Sequence, residues 1–211
     1  MSVERKLKVY SAVVLPSLLY ACETWTVYSR HARQLNALHM RCLRSLLRIK
    51  WQDKVPDTEV LQRAEMESIH AVLLRSQLRW AGHVHRMEDN RLPKRLLYSE
   101  LTSGKRSVGR PKLRYKDSLK ASLKHANIPH ASWENCAKNR PAWRSLVRSG
   151  VAKHEEERIR GKEEKRQRRK EQESSQSQTG SDPNIPCPYC NRLFRARIGL
   201  ISHLRTHPTP Q

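Results

Sequence analysis

The chain has 211 residues, and its 42 Lys and Arg against 20 Asp and Glu leave a net charge of +22. That length allows one domain of moderate size with appendages, and a surplus this large points to a polyanionic partner, nucleic acid ahead of an anionic membrane surface. Of five cysteines, Cys187 and Cys190 form a close pair, and the other three, Cys22, Cys42 and Cys136, are too scattered to make a disulfide framework, which implies a reducing compartment.

The excess charge sits early. Up to Gly150 there are 29 basic and 12 acidic residues; beyond it there are 13 and 8. The first stretch, Val9 to Cys22, carries no charge but is too short to cross a bilayer, and Pro16, Ser11, Ser17 and Tyr20 interrupt it. The expectation is a helix broken near Pro16 and no membrane partner. From Tyr28 to Ile49, Leu35, Leu38, Met40, Leu43, Leu46 and Leu47 recur at helical spacing, with arginines between them. A second helical stretch runs from Glu59 to Met87 on a stripe of Ile69, Val72, Leu73, Trp80 and Val84. His83 and His85 lie two apart, which points them away from each other on a helix, so they read as surface or packing residues.

The most basic stretch is Arg91 to Lys124, with eleven Lys and Arg against Glu100 and Asp117. Its middle, Ser103 to Lys112, is poor in apolar residues and rich in turn formers, which predicts an exposed loop. Lys105, Arg106, Arg110, Lys112 and Arg114 are therefore candidate phosphate contacts. Gly109-Arg110-Pro111 resembles the core of an AT-hook, except that Val108 stands where that motif has a basic residue. Helical spacing resumes with Leu113, Tyr115, Leu119 and Leu123, and again from Trp133 to Val147. From Lys153 to Glu173, nine basic and seven acidic residues alternate with almost nothing apolar, which predicts a solvated single helix or disorder. Ser174 to Pro186 reads as a flexible tether.

Near the end come Cys187-Pro-Tyr-Cys190, twelve residues, His203, three residues and His207. Two thiolates and two imidazoles at these spacings supply the tetrahedral ligand set that Zn2+ takes, and residues four apart share one helix face. Phe194 and Leu200 stand where a ββα unit needs its apolar plugs. From Cys187 to His207 the segment resembles the Cys2His2 zinc-finger family, with Ile185 where that family usually has an aromatic ring. So short a segment cannot fold on buried area alone, and zinc would supply about 10–16 kcal/mol. The resemblance puts the base-reading helix positions at Ala196, Gly199 and Ser202. None offers the bidentate partner that base discrimination needs. Arg195 and Arg197, with Arg192 and Arg205, can still meet phosphates.

A second resemblance covers residues 7–147. Leu19-Tyr-Ala-Cys-Glu-Thr-Trp25, Cys42-Leu-Arg44, Gln77-Leu-Arg-Trp-Ala-Gly-His-Val84, Gly109-Arg-Pro-Lys-Leu-Arg-Tyr-Lys-Asp117 and Trp133-Glu134 with Ala137, Arg140 and Trp143-Arg144 follow in order. Together they resemble the region after the polymerase domain in reverse transcriptases of LINE-type (non-LTR) retrotransposons. Ala21 replaces an expected glycine, and Asn139 an expected aspartate. The resemblance implies a helical, nucleic-acid-contacting, thumb-like module from a mobile element. It brings no catalysis: none of the five aspartates are adjacent, so the paired carboxylates that hold two metal ions are missing.

The expected fold is mainly α: an irregular helical module over 1–150, a charged helical or disordered linker over 151–184, and one ββα zinc finger over 185–207. The expected partners are DNA or RNA, held through phosphates without sequence choice. The alternative is a protein partner of the finger through Ile198 and Ile201. Lys165 to Lys170 could serve as a nuclear import signal.

Overall fold

The N-terminal helix does not break at Pro16. In the computed structural model, which describes residues 1–99, 108–109, 112–178, 185–194 and 196–207, α1 (Val3–Val9) passes into a π-helical turn (Tyr10–Val14) and then α2 (Leu15–Leu18). Proline cannot donate to the preceding turn, and the widened turn ahead of Pro16 absorbs the mismatch. Tyr10 is buried here, its hydroxyl 2.9 Å from His39 Nδ1. Burial lowers the pKa of His39 and keeps its ring neutral.

A 3-10 turn (Cys22–Thr24) then leads to α3 (Ser29–Leu46), which buries Ala32, His39, Met40 and Leu43. These positions repeat as one face of a helix does. Met40 and Leu43 pack with Tyr10, Val60 and Leu61, the last two from α4 (Asp57–Arg63).

The sequence predicts one helix from Glu59 to Met87, and the structure has two. Glu65 takes a left-handed conformation (φ 52°), and Met66 N–H reaches back to the Leu61 carbonyl at 3.0 Å, closing α4. Ser68 then starts α5 (Ile69–His85) as its N-cap, accepting from Ala71 N–H at 3.2 Å. Helix α5 turns a broad apolar face inward, with Ile69, Leu73, Leu74, Leu78, Ala81 and Val84 all buried, and leaves Arg79 and His83 exposed on its other side. It meets the 3-10 turn, α3, α6 (Leu92–Tyr98), α7 (Tyr115–His125) and α8 (Trp133–Lys138). Helix α6, begun by Pro93 at its second position, was not read from the pattern.

Trp133 to Val147 is likewise two helices. Asn139 leaves helical geometry (ψ 106°), and its side chain accepts from Ala142 N–H at 3.1 Å, capping α9 (Arg140–Gln178). Of the two readings for 153–173, helix is the one found. The expectation that it has no face to bury fails at its start, where the Glu155 and Arg158 side chains are only 19% and 14% exposed.

The chain divides into two units, Met1–Arg160 and Gly161–Gln211. In the first, residues of four of the five ordered landmarks meet around α5, and Cys42-Leu-Arg44 packs against α4 instead. The Gln77 amide donates to the Trp25 carbonyl (3.1 Å) and accepts from the Ser122 hydroxyl (2.8 Å). The Trp143 indole N–H donates to the Leu78 carbonyl (3.1 Å), and the Arg86 guanidinium to the Ala137 carbonyl (2.6 Å). Leu113 N–H donates to the Tyr28 hydroxyl (3.0 Å). Arg44 holds Asp57 at 2.9 Å and the Val55 carbonyl at 3.0 Å. In the second unit, β1 (Ile185–Pro186) and β2 (Leu193–Phe194) pair antiparallel, Ile185 opposite Phe194, and α10 (Arg197–Leu204) follows.

Candidate functional site

The hairpin and α10 bring the four expected ligands together. Cys187 N–H donates to the Arg192 carbonyl at 2.9 Å and Arg192 N–H to the Cys190 carbonyl, which closes the knuckle and turns both sulfurs inward. His203 lies on α10, and His207 follows three residues after that helix ends at Leu204, its ring 4.7 Å from that of His203. Cys187 Sγ lies 3.4 Å from His207 Nε2, Cys190 Sγ 3.0 Å from His203 Nε2, and the two Nε2 atoms 3.1 Å apart. All four ligand atoms fall within 4.8 Å of one another. Donors around a tetrahedral zinc stand about 3.3–3.8 Å apart, so small adjustments of this set would bring it onto such an ion.

The surroundings favour ligation. Thr206 gives its hydroxyl hydrogen to the His203 carbonyl (2.6 Å), so its oxygen can only accept from His203 Nδ1–H at 3.4 Å. This contact suits the tautomer with hydrogen on Nδ1, the one whose Nε2 lone pair is open to a metal. Burial, the neighbouring His207 and Arg192 lower the pKa of His203 and hold it neutral. Burial pushes the Cys187 thiol up, but the Tyr189 and Cys190 N–H groups and the Cys190 thiol outweigh it, and the net shift is downward. Burial and Cys187 raise Cys190. Phe194 stacks against His203 with ring centroids 4.8 Å apart, and Tyr189 lies 5.3 Å from His207. A side chain at Gly199 would meet the Phe194 ring at 3.4 Å, so the small residue there suits the plug. Thr206, Tyr189 and Arg192 stand between the ligands, and the spacing, which fixes only the four ligand positions, does not show what they do at the site.

The candidate phosphate contacts are less tightly placed. Lys112 is exposed. Arg114 stands at the start of α7, where its N–H donates to the Asp117 carboxylate (3.0 Å) and its guanidinium pairs with the same group (3.3 Å). Arg197 opens α10 and is exposed. Lys105, Arg106, Arg110 and Arg195 lie outside the described residues. His83 and His85 hold no metal cluster among the described residues: His85 Nδ1 is 2.8 Å from the Tyr98 hydroxyl, and His83 lies against Trp80.

The chain is similar to an uncharacterized transposon-derived protein of Caenorhabditis elegans. The two are 27% identical over 157 residues, 69% of this chain and 55% of that protein. The chain thus spans about half the length of the curated relative it matches. No family model matches the chain. No solved structure matches it either. Similarity to a transposon-derived protein and a four-residue cluster suited to a metal ion are the two findings on which function can be built.

No helix among the described residues is long and apolar enough to cross a membrane.

Proposed function

We propose that the chain is a zinc-binding, nucleic-acid-binding protein without catalytic activity, derived from the region after the polymerase domain of a LINE-type reverse transcriptase. The observation that carries the metal part is the convergence of Cys187, Cys190, His203 and His207 within 4.8 Å. The element origin is supported by the five landmarks in order and by the transposon-derived relative. The net charge of +22 supports a polyanionic partner. The finger is of the Cys2His2 type, and its helix presents Ala196, Gly199 and Ser202, which favours grip over base reading.

Binding to unrelated DNA and RNA sequences should be of similar strength and should weaken steeply with salt. A protein with six to ten phosphate contacts loses roughly 10³–10⁵ in affinity between 50 and 200 mM. Neutralising Lys112 and Arg114 together should weaken all sequences alike. Salt-insensitive binding, or a strong preference for one sequence, would count against this reading. Lys165 to Lys170, on the exposed middle of α9, would direct nuclear import.

A second reading rests on a specific observation: Ile198 and Ile201 on α10 are 82% and 54% exposed. They offer a small apolar face to a protein. Capture of a partner that depends on both isoleucines and ignores added DNA would favour it.

A further inference from the structure

We infer that a cleft between α5 and the first turn of α9 is a built pocket for a phosphate group of a nucleic-acid strand. The inference rests on the nucleic-acid reading above, but locates a contact outside the basic loop that the sequence pattern singled out, in a cleft of the helical module. On α5, Ser76, Arg79, Trp80, His83 and Arg86 follow one another at helical spacing and form one wall. Arg140, Trp143 and Arg144 form the other from α9. The cleft between them holds about 330 Å³, at the small end of ligand sites and roomier than a bare ion needs.

Its charge is lopsided. Four guanidinium groups, from Arg79, Arg86, Arg140 and Arg144, face one carboxylate, Glu23, which leaves 4 − 1 = +3. Among the described residues, Arg79, Arg140 and Arg144 make no ion pair and no side-chain hydrogen bond. Arg86 is different: the Ala137 carbonyl anchors it from behind at 2.6 Å, so it acts as a positioned charge. Burial, then repulsion from Arg140, depresses the pKa of Arg86, as expected where cations outnumber the carboxylate facing them. An anion in the cleft would relieve that repulsion. Planar guanidinium forks match phosphate oxygens two at a time, and lysine does not.

The walls are held rigidly. Gly82 lets the Trp143 ring lie against α5; a Cβ there would sit 2.1 Å from the indole nitrogen. The same nitrogen donates to Leu78, which fixes the first turn of α9 and aims Arg140 and Arg144 across the cleft. The N–H groups of Ala142 and Trp143 are taken by Asn139, so side chains, not the helix start, make the site. Trp80, half-buried, offers a ring on which a neighbouring base could stack.

The test measures binding of a labelled mixed-sequence single strand over a salt series, with the full chain, R79Q/R144Q, R79K/R144K and a distant control pair, R30Q/R33Q. The pocket pair should lose roughly tenfold in affinity, and its salt slope should fall by about 1 unit, well beyond the control pair. The lysine pair should recover the slope but only part of the affinity. Circular dichroism checks that each variant folds. If the full chain binds and the pocket pair behaves as the control pair does, the pocket is wrong and the nucleic-acid reading stands. If the full chain binds no strand, that reading fails, and the pocket is tested with pyrophosphate by tryptophan fluorescence. A saturable change present in the full chain and lost in R79Q/R144Q keeps a phosphate pocket with a free phosphate as its source; no change in either overturns it.

Discussion

Two small residues in the landmarks have opposite substitution signs. Ala21 sits where a glycine was expected from the resemblance, and it takes φ 57°, the left-handed region that favours glycine. Ala21→Gly should therefore stabilise the module by up to about 1 kcal/mol, the relief of the left-handed penalty less the entropy that glycine brings to the unfolded chain. Gly82 is the reverse. Alanine is the better helix former by about 1 kcal/mol, yet its methyl would strike the Trp143 indole. Overpacking of that kind costs about 1–3 kcal/mol, so Gly82→Ala should lower stability and disturb Trp143 fluorescence. Urea unfolding of both variants decides each sign; a stabilising Gly82→Ala would mean that Trp143 moves aside freely. The need for a small residue at position 82 was not legible from the sequence, because it depends on a ring more than sixty residues away. The zinc ligands were legible, because local spacing alone sets their direction.

At the scale of elements, periodicity showed where helices run but not where they stop. The stretch from Glu59 to Met87 keeps its apolar stripe across a break that depends on Glu65 turning left-handed and Ser68 capping α5. Trp133 to Val147 hides a break at Asn139 in the same way. The start of the charged stretch was misread for a related reason: without apolar residues it shows no buried face, although it has one. Glu155 accepts from Arg158 at 2.6 and 2.7 Å on a part-buried patch. Burial raises the Glu155 pKa, but Arg158, with Ser68 and His70 on the facing segment, outweighs it and the net shift is downward. A depressed carboxylate stabilises the fold above the ordinary glutamate range, and that contribution disappears as pH falls through the lowered value. Glu155→Gln should cost about 1–3 kcal/mol near neutrality, because Arg158 then loses its partner. The difference from the unchanged chain should shrink in acid. A constant difference across the pH range would show that the pair contributes packing rather than charge.

For the whole molecule, the two units draw their order from different sources. Residues up to Arg160 bury three apolar clusters, with Leu43, Leu78, Leu123 and Val147 at or near zero exposure. Each such side chain is worth about 1.5–3 kcal/mol in removal from water. Among the described finger residues, Cys187 alone is fully buried. The helical module should thus keep its far-UV signal in a chelator while the finger loses its structure. Charge, landmarks and ligand spacing made the mainly α fold and the metal cluster readable in advance. The arginine cleft was not readable, because Arg79 and Arg86 come together with Arg140 and Arg144 only through the packing of α9 on α5.

The most direct test is metal stoichiometry on the purified, dialysed chain beside His203→Ala and Cys190→Ser variants. One zinc per chain, lost in both variants together with the dispersed amide signals of residues 185–207, is the expected result. A chain that retains no metal, or variants that bind it as fully as the unchanged protein, would contradict the account.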